Sequence, residues 1–230
     1  MTSIKTIFNR YKHAIPMLAY MVVYLVWFSW LEKRSVKNSW LIHFAADDYI
    51  PFCEAFVIPY LLWFGYVAAV VIYLFFKDKT EYYKACVFLA TGMTLFLIIS
   101  TLWPNGHNLR LAAMPRENFC TGLVAMLWKT DTPTNLWPSI HVYNSLGAHF
   151  AITHCQRLMN SRHGKLIKTG SGILAFSIVL STMFIKQHSV FDVFTGLALG
   201  AVMYALVYKR ELLFAGKAQK NKDKRTPQVD

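Results

Sequence analysis

The sequence predicts an all-α integral membrane protein, a bundle of six transmembrane helices. Of its 230 residues 55% are hydrophobic and only 16% are charged, which is below the charge content of an average soluble domain. A helix needs roughly 20 mostly apolar residues to cross about 30 Å of hydrocarbon. Six segments meet this requirement, at residues 14–31, 56–76, 84–103, 138–156, 167–185 and 189–208.

These segments define one membrane domain, residues 14–208, between a short N-terminal segment, 1–13, and a basic tail, 209–230. The first apolar segment is followed by EKRSVKNSW, which lacks a small-residue cleavage pattern, so we expect a retained helix and not a signal peptide. The tail, with its run KAQKNKDKR, is predicted to be disordered and attracted to lipid. The net charge of +12 therefore does not require a nucleic-acid partner.

The basic residues predict the orientation in the membrane. With both termini in the cytoplasm, 17 of the 24 Lys and Arg residues fall on the cytoplasmic side. This agrees with the tendency of cytoplasmic segments to carry more Lys and Arg. The prediction is a multi-pass protein of the cell membrane, with His141 and His188 near its extracytoplasmic surface.

The connection between the third and fourth segments, residues 104–137, is the longest in the predicted bundle. At more than thirty residues it exceeds what a simple linker needs, so it is expected to be a lid or to form part of a site. Its stretch ENFCTGLVAMLWKT is apolar on one face and could lie along the membrane surface as an interfacial helix.

Two histidines at this predicted surface are the candidates for chemistry. Asp192 follows His188 by four residues, a spacing that places both side chains on one face of a helix. Such a carboxylate fixes the imidazole tautomer and supports its positive charge, as in a nucleophile or base, and His141 would be the acid. The alternative is structural: His188 and Asp192 would only cap the last helix, and His141 would only be a polar residue in a helix's first turn.

Other polar residues are assigned simpler roles. Cys53 and Cys120 share the predicted outer side, and the sequence leaves open whether they pair. No cysteine pair has the spacing of zinc ligands. Asp131, in KTDTPTN, is expected to form a turn. An acidic outer patch, expected to be solvated, contains Asp47, Asp48 and Glu54. The tryptophans are expected in the core and at the membrane interfaces.

Two short stretches resemble the type 2 phosphatidic acid phosphatase superfamily of membrane lipid phosphatases and phosphotransferases. The second superfamily motif, Pro-Ser-Gly-His, is matched by PSIH through Pro138, Ser139 and His141. The third, Ser-Arg, five residues, His, three residues, Asp, is matched by STMFIKQHSVFD through Ser181, His188 and Asp192. The resemblance covers residues 100–205, and it implies a six-helix fold of this type.

The resemblance also implies a reaction and its residues. His188 would attack phosphorus to give a phosphohistidine while Asp192 orients it, and His141 would protonate the leaving group and later activate water. Ser139, Ser181 and nearby cations would bind the phosphate oxygens. The mechanism implies neither a metal nor a cofactor.

The sequence departs from the motifs at three places. Ile140 replaces the glycine of the second motif, and Thr182 replaces the arginine of the third. We expect Lys186, one helical turn after Thr182 on the same face, to supply the missing cation. For the first motif, Lys, six residues, Arg-Pro, the preferred match is Arg110, with Trp103 at the lysine position, and Arg116 is the reserve.

The resulting prediction is a metal-independent membrane phosphatase that hydrolyses a lipid phosphate monoester or diphosphate at the extracytoplasmic face. A phosphotransferase like the inositol phosphorylceramide or sphingomyelin synthases is the alternative within the superfamily. A non-enzymatic transporter or scaffold that only binds headgroups is the alternative of another class. The expected partners are a lipid substrate and the bilayer, and the oligomeric state stays open.

Overall fold

The protein is described by a computed structural model that covers residues 4–34 and 39–209. It is mostly helical, as predicted. The α-helices in the described residues are α1 Ile4–Tyr11, α2 Ile15–Lys33, α3 Val57–Lys77, α4 Lys79–Leu102, α5 Phe119–Thr130, α6 Ile140–His154, α7 Gln156–Met159, α8 Gly164–Phe184 and α9 Val190–Val207. Single turns of 3-10 helix cover Lys12–Ala14, Ala45–Asp48 and Glu54–Phe56. The basic tail beyond residue 209 lies outside the described residues.

Polar side chains cap the N-termini of α4, α6 and α9. The Asp78 side chain accepts a hydrogen bond from the Glu81 N–H at 3.0 Å, so this one residue is enough to separate α3 from α4. Ser139 and Ser189 are the N-cap residues of α6 and α9. Side-chain oxygens at this position pair with backbone N–H groups that have no partner within the helix.

Within the described residues, five helices are long and apolar enough to cross a membrane, one fewer than predicted. They are the segments Phe8–Lys33, Glu54–Lys77, Lys79–Leu102, Gly164–Phe184 and Val190–Val207. The predicted fourth segment, residues 138–156, forms the shorter helix α6, which has 15 residues. At about 1.5 Å per residue α6 is about 22 Å long, short of the roughly 30 Å of hydrocarbon.

Helix α6 lies at the centre of the bundle, packed against α3, α4, α8 and α9. Glycines allow two of these close approaches. A Cβ atom at Gly92 of α4 would lie 2.0 Å from the Tyr143 ring, and one at Gly196 of α9 would lie 2.9 Å from the Ser139 carbonyl oxygen. Small residues let membrane helices pack at such short distances.

The helices alternate in direction, so the bundle has two distinct ends. We call the end with His141 and His188 the histidine end. It also carries the 104–137 connection and a two-residue parallel pairing of β1 Trp40–Leu41 with β2 Asn105–Gly106. At the opposite end His13 stacks on Phe75, and the Cys155 thiol lies 3.7 Å from an Asp78 oxygen.

Candidate active site

The two candidate histidines converge at the histidine end. The Nε2 atom of His188 lies 3.4 Å from Nδ1 of His141, and the ring centroids are 5.6 Å apart. His141 is in the first turn of α6 and His188 lies just before α9. Both side chains are buried. Two imidazoles from different helices therefore share one enclosed space.

Asp192 lies on the other side of the His188 ring. Its Oδ2 lies 3.4 Å from His188 Nδ1, which is within ion-pair distance. The geometry between these two atoms is not that of a hydrogen bond. The same oxygen accepts the Ser189 backbone N–H at 3.0 Å, and the side chain is fully buried. A fixed carboxylate at Nδ1 favours the tautomer in which Nε2 faces His141 with a free electron pair.

The expectation that His188 and Asp192 share one helix face was wrong. Helix α8 ends at Phe184, and Lys186 follows with a φ of 55°, in the left-handed region. His188 thus lies in the turn before α9, and Asp192 is in the first turn of that helix. The N-cap at Ser189 brings the two side chains together.

Aromatic rings enclose His141, which the sequence did not indicate. Tyr60 stacks on it with centroids 4.6 Å apart, and Trp63 packs at 4.4 Å. Tyr60 and Trp63 are three residues apart on α3 and so share a face. The sequence shows this spacing, but it does not indicate that the two rings contact His141.

Arg110 is joined to the residue before the candidate nucleophile. Its Nη2 donates to the Gln187 side-chain oxygen at 2.6 Å, and its Nη1 donates to the Trp128 carbonyl at 2.9 Å. Its Nε is buried and has no hydrogen-bond partner among the described residues. The Nε–H group of Arg110 is therefore a donor that a ligand near Gln187 can use.

A third histidine, His107, was missed from the sequence. Its Nδ1 accepts the Leu109 backbone N–H at 3.1 Å, so its Nε2 carries the hydrogen and donates to the Gln187 carbonyl at 3.0 Å. Burial lowers the pKa of His107 to about 4, which keeps the ring neutral near pH 7. His107 thereby fixes the peptide that leads into His188.

Asp131 contributes to the same network. It is the C-cap residue of α5, and its Oδ2 lies 3.4 Å from Nε2 of Gln187. Burial raises the pKa of Asp131, and the nearby Glu32 carboxylate raises it further. The residue ends a helix, in line with its expected turn, but it also faces the functional region.

The acidic outer patch is not solvated as expected. Asp47 is buried, and its carboxylate accepts the Ser189 hydroxyl at 2.6 Å and the Val190 N–H at 2.7 Å. Glu54 is also buried and accepts from Asn118 at 2.9 Å. Asp48 is the exposed member of the three. Asp47 thus anchors the start of α9, a long-range contact with no local signal.

Lys186 is not on the face expected for it, because α8 ends before it. Its ammonium donates to the Asp47 carbonyl at 3.1 Å and to the Ile50 carbonyl at 2.6 Å. It also lines a cleft at the histidine end together with His43, Asp48 and other residues. A role for Lys186 as a phosphate ligand stays a prediction.

The remaining candidates are placed as follows. The Ser139 hydroxyl accepts the Val142 N–H at 3.5 Å, and the Ser181 hydroxyl donates to the Ile178 carbonyl at 2.6 Å. Arg116 is 61% exposed and pairs with Glu54 at 2.9 Å, away from the Gln187 network. Cys53 and Cys120 are both free thiols. Within residues 4–34 and 39–209, no three His, Cys, Asp or Glu side chains are grouped as metal ligands.

A sequence model of the PAP2 superfamily, the type 2 phosphatidic acid phosphatases, matches residues 117–212. The chain is therefore PAP2-like, and the resemblance drawn from its motifs is confirmed. The match includes both histidines and Asp192 and begins after Arg110 and Arg116. No curated protein and no solved structure matches the chain significantly.

The match to this superfamily suggests a class of activity. Its members are generally phosphatases, and the family suggests phosphatase or phosphotransferase chemistry for this chain. The apolar helices and the family together indicate a membrane protein.

Proposed function

We propose that the protein is a metal-independent phosphatase that hydrolyses a lipid phosphate monoester or diphosphate at the extracytoplasmic face of the membrane. The observation that carries this proposal is the 3.4 Å approach of His188 Nε2 to His141 Nδ1, with Asp192 at the opposite nitrogen of His188. A nucleophile, its orienting carboxylate and a second proton carrier are the groups that a two-step phosphoryl transfer needs.

The reaction would proceed in two balanced steps. In the first, His188 Nε2 forms a bond to phosphorus while the bond to the leaving oxygen breaks, and His141 donates a proton to that oxygen. In the second, His141 removes a proton from water, the water oxygen binds phosphorus, and the nitrogen–phosphorus bond breaks. The rings must separate to admit the phosphoryl group, because 3.4 Å leaves no room for it between them.

Arg110 is the best-supported phosphate ligand. Its guanidinium is held through Gln187, next to His188, and its unpartnered Nε can donate to a non-bridging oxygen. Ser139, at the start of α6, and Lys186, before α9, are further candidates. The Ser181 hydroxyl would first have to release the Ile178 carbonyl.

In this proposal α6 is the sixth span, and both termini are cytoplasmic. A helix of about 22 Å is accommodated by local thinning of the bilayer or by polar groups reaching its ends. Its central position, packed against four other helices, shields it from lipid. The histidine end would then face outward, in agreement with the distribution of Lys and Arg.

The test is phosphate release by the purified protein in detergent with a metal chelator present. The substrates are phosphatidic acid, phosphatidylglycerol phosphate and a polyprenyl diphosphate. We expect release from at least one of them, with His188→Ala inactive. Consumption of lipid without free phosphate would instead favour the phosphotransferase. Lipid binding without any turnover would favour the transporter or scaffold.

A further inference from the structure

A second cavity lies between α2 and α3. It encloses about 820 Å³ and is almost entirely apolar. We call it the α2–α3 groove. Residues from both helices and from α4 form its walls, among them Met17, Met21, Val67, Val71, Leu89 and Met93. Its composition suits a hydrocarbon chain and not a polar ligand.

The α2–α3 groove begins directly beside the candidate active site. Trp63 lines the groove and also packs on His141, with ring centroids 4.4 Å apart. Asn144, three residues after His141, lines the groove too. The cavity is thus continuous with the wall of the reaction centre.

This end of the groove also carries polar atoms without partners. The Trp63 Nε1 donor and the Asn144 Oδ1 acceptor are buried and make no hydrogen bond within the described residues. Such atoms are costly to bury unless something pairs with them. The polar linkage between a phosphorylated headgroup and its chain would supply partners once these two side chains turn toward the groove.

The groove runs along the bundle toward the opposite end. Its lining on α3 extends from Trp63 to Phe76, about 20 Å at the helical rise. Phe75 and Tyr82 line its far end, and His13 stacks on Phe75 at 4.5 Å. Aromatic rings therefore form part of the far end of the groove.

We infer that the α2–α3 groove binds one hydrocarbon chain of the lipid whose phosphate reaches His188, and that it thereby favours long chains over short ones. The inference rests on the proposed function and adds a specificity site to it. A chain entering beside Trp63 would run parallel to the helices, as chains do in a bilayer. A lipid of the bulk bilayer would fill the groove without affecting turnover, which gives an alternative occupant to test.

Two neighbouring alanines of α3 provide a matched pair of variants. Ala68 lines the groove about 7.5 Å below Trp63, and its exposed position gives a larger side chain room without disturbing the core. Ala69 is equally exposed but does not line the groove. Ala68→Phe would block the passage, whereas Ala69→Phe adds the same bulk to a neighbouring face.

The experiment compares phosphate release from dipalmitoyl and dioctanoyl phosphatidic acid in detergent. We expect Ala68→Phe to lower the ratio of kcat/KM values, long chain over short, by about tenfold. The wild type and Ala69→Phe should share one ratio of kcat/KM values. An unchanged ratio in Ala68→Phe would overturn the chain site and leave the phosphatase intact.

Photolabelling tests directly where the hydrocarbon chain lies. A phosphatidic acid with a photoreactive group at the chain end should label groove residues near Phe75 and Tyr82. Labelling only on lipid-facing residues of other helices would contradict the inference. If the wild type released phosphate from neither lipid, the proposed function would fail for these substrates, and the chain site would fail with it.

Discussion

His107 is a neutral, buried residue whose two ring nitrogens both bind backbone groups. Its Nε2–H holds the Gln187 carbonyl, one peptide before His188. We expect His107→Ala to lower kcat by about 10- to 100-fold, because the nucleophile loses its fixed position. The measurement is steady-state phosphate release by the purified variant, with KM little changed.

The control is His107→Gln, whose side-chain amide can both donate and accept hydrogen bonds and should restore much of kcat.

The two variants should also change the pH dependence of stability. The folded-state pKa of about 4 is below the usual 6.5, so the unfolded chain binds a proton first, and stability falls as pH drops from 6.5 to 4. Both variants should reduce this loss in thermal unfolding. An equal loss of stability at low pH in the wild type and both variants would contradict the assignment of this pKa to His107.

Two arginines compete for the role of the first-motif cation. We expect Arg110→Ala to lower kcat/KM by about 100- to 1,000-fold, because a donor to the phosphate is lost. Arg110→Lys should recover only part of this, since an ammonium lacks the planar fork. Arg116→Ala should stay within about threefold of wild type, because the Arg116 side chain is 61% exposed and its ion pair is screened by solvent. A larger effect at Arg116 than at Arg110 would reverse the assignment.

At the scale of elements, the start of α9 depends on Asp47. Its carboxylate accepts hydrogen bonds from the Phe44 N–H, the Ser189 hydroxyl and the Val190 N–H. We expect Asp47→Ala to lower the free energy of unfolding by about 2–3 kcal/mol. Activity should fall as well, because the turn that carries His188 is released. Chemical unfolding in detergent would measure the change.

Asp48→Ala is the matched control for Asp47→Ala. Asp48 is the next residue, and its side chain is 64% exposed and paired with His43. Its loss should change the free energy of unfolding by less than about 1 kcal/mol. Similar destabilisation by both substitutions would show that Asp47 does not anchor α9.

The sequence predicted helices more readily than it predicted contacts. Apolar runs located α3, α8 and α9 within a few residues, because burial in lipid requires continuous apolar helices. The stretch ENFCTGLVAMLWKT was correctly predicted to contain a helix, which is α5 in the structure. The end of α8 before Lys186 was not foreseen, since no glycine or proline marks the left-handed turn. The burial of Asp47 depends on residues more than 140 positions away, which no local pattern reveals.

The sequence likewise predicted some residues of the candidate site and missed others. Motif spacing identified His141, His188 and Asp192, which the structure brings together. His107 and Gln187 were not identified, because their role arises only when the 104–137 connection packs against the start of α9. Motifs mark groups that react, whereas positioning residues depend on the fold around them.

At the scale of the whole molecule, the orientation in the membrane can be tested with single cysteines. Arg116 and Arg157 are exposed at the histidine end and the opposite end, respectively. In a background without the four native cysteines, a membrane-impermeant maleimide should label Arg116→Cys on intact cells. Arg157→Cys should react only after permeabilisation. The reverse pattern would place the histidine end in the cytoplasm.

The central claim is that His188 carries the phosphoryl group during turnover. The most direct measurement is rapid quenching of the purified protein with radiolabelled lipid phosphate, followed by mapping of the labelled peptide. We predict an acid-labile, alkali-stable phosphate on His188 that forms and decays at rates consistent with turnover, and that is absent in His188→Ala. Phosphate release by His188→Ala at the wild-type rate, or a label on His141 instead, would contradict the account.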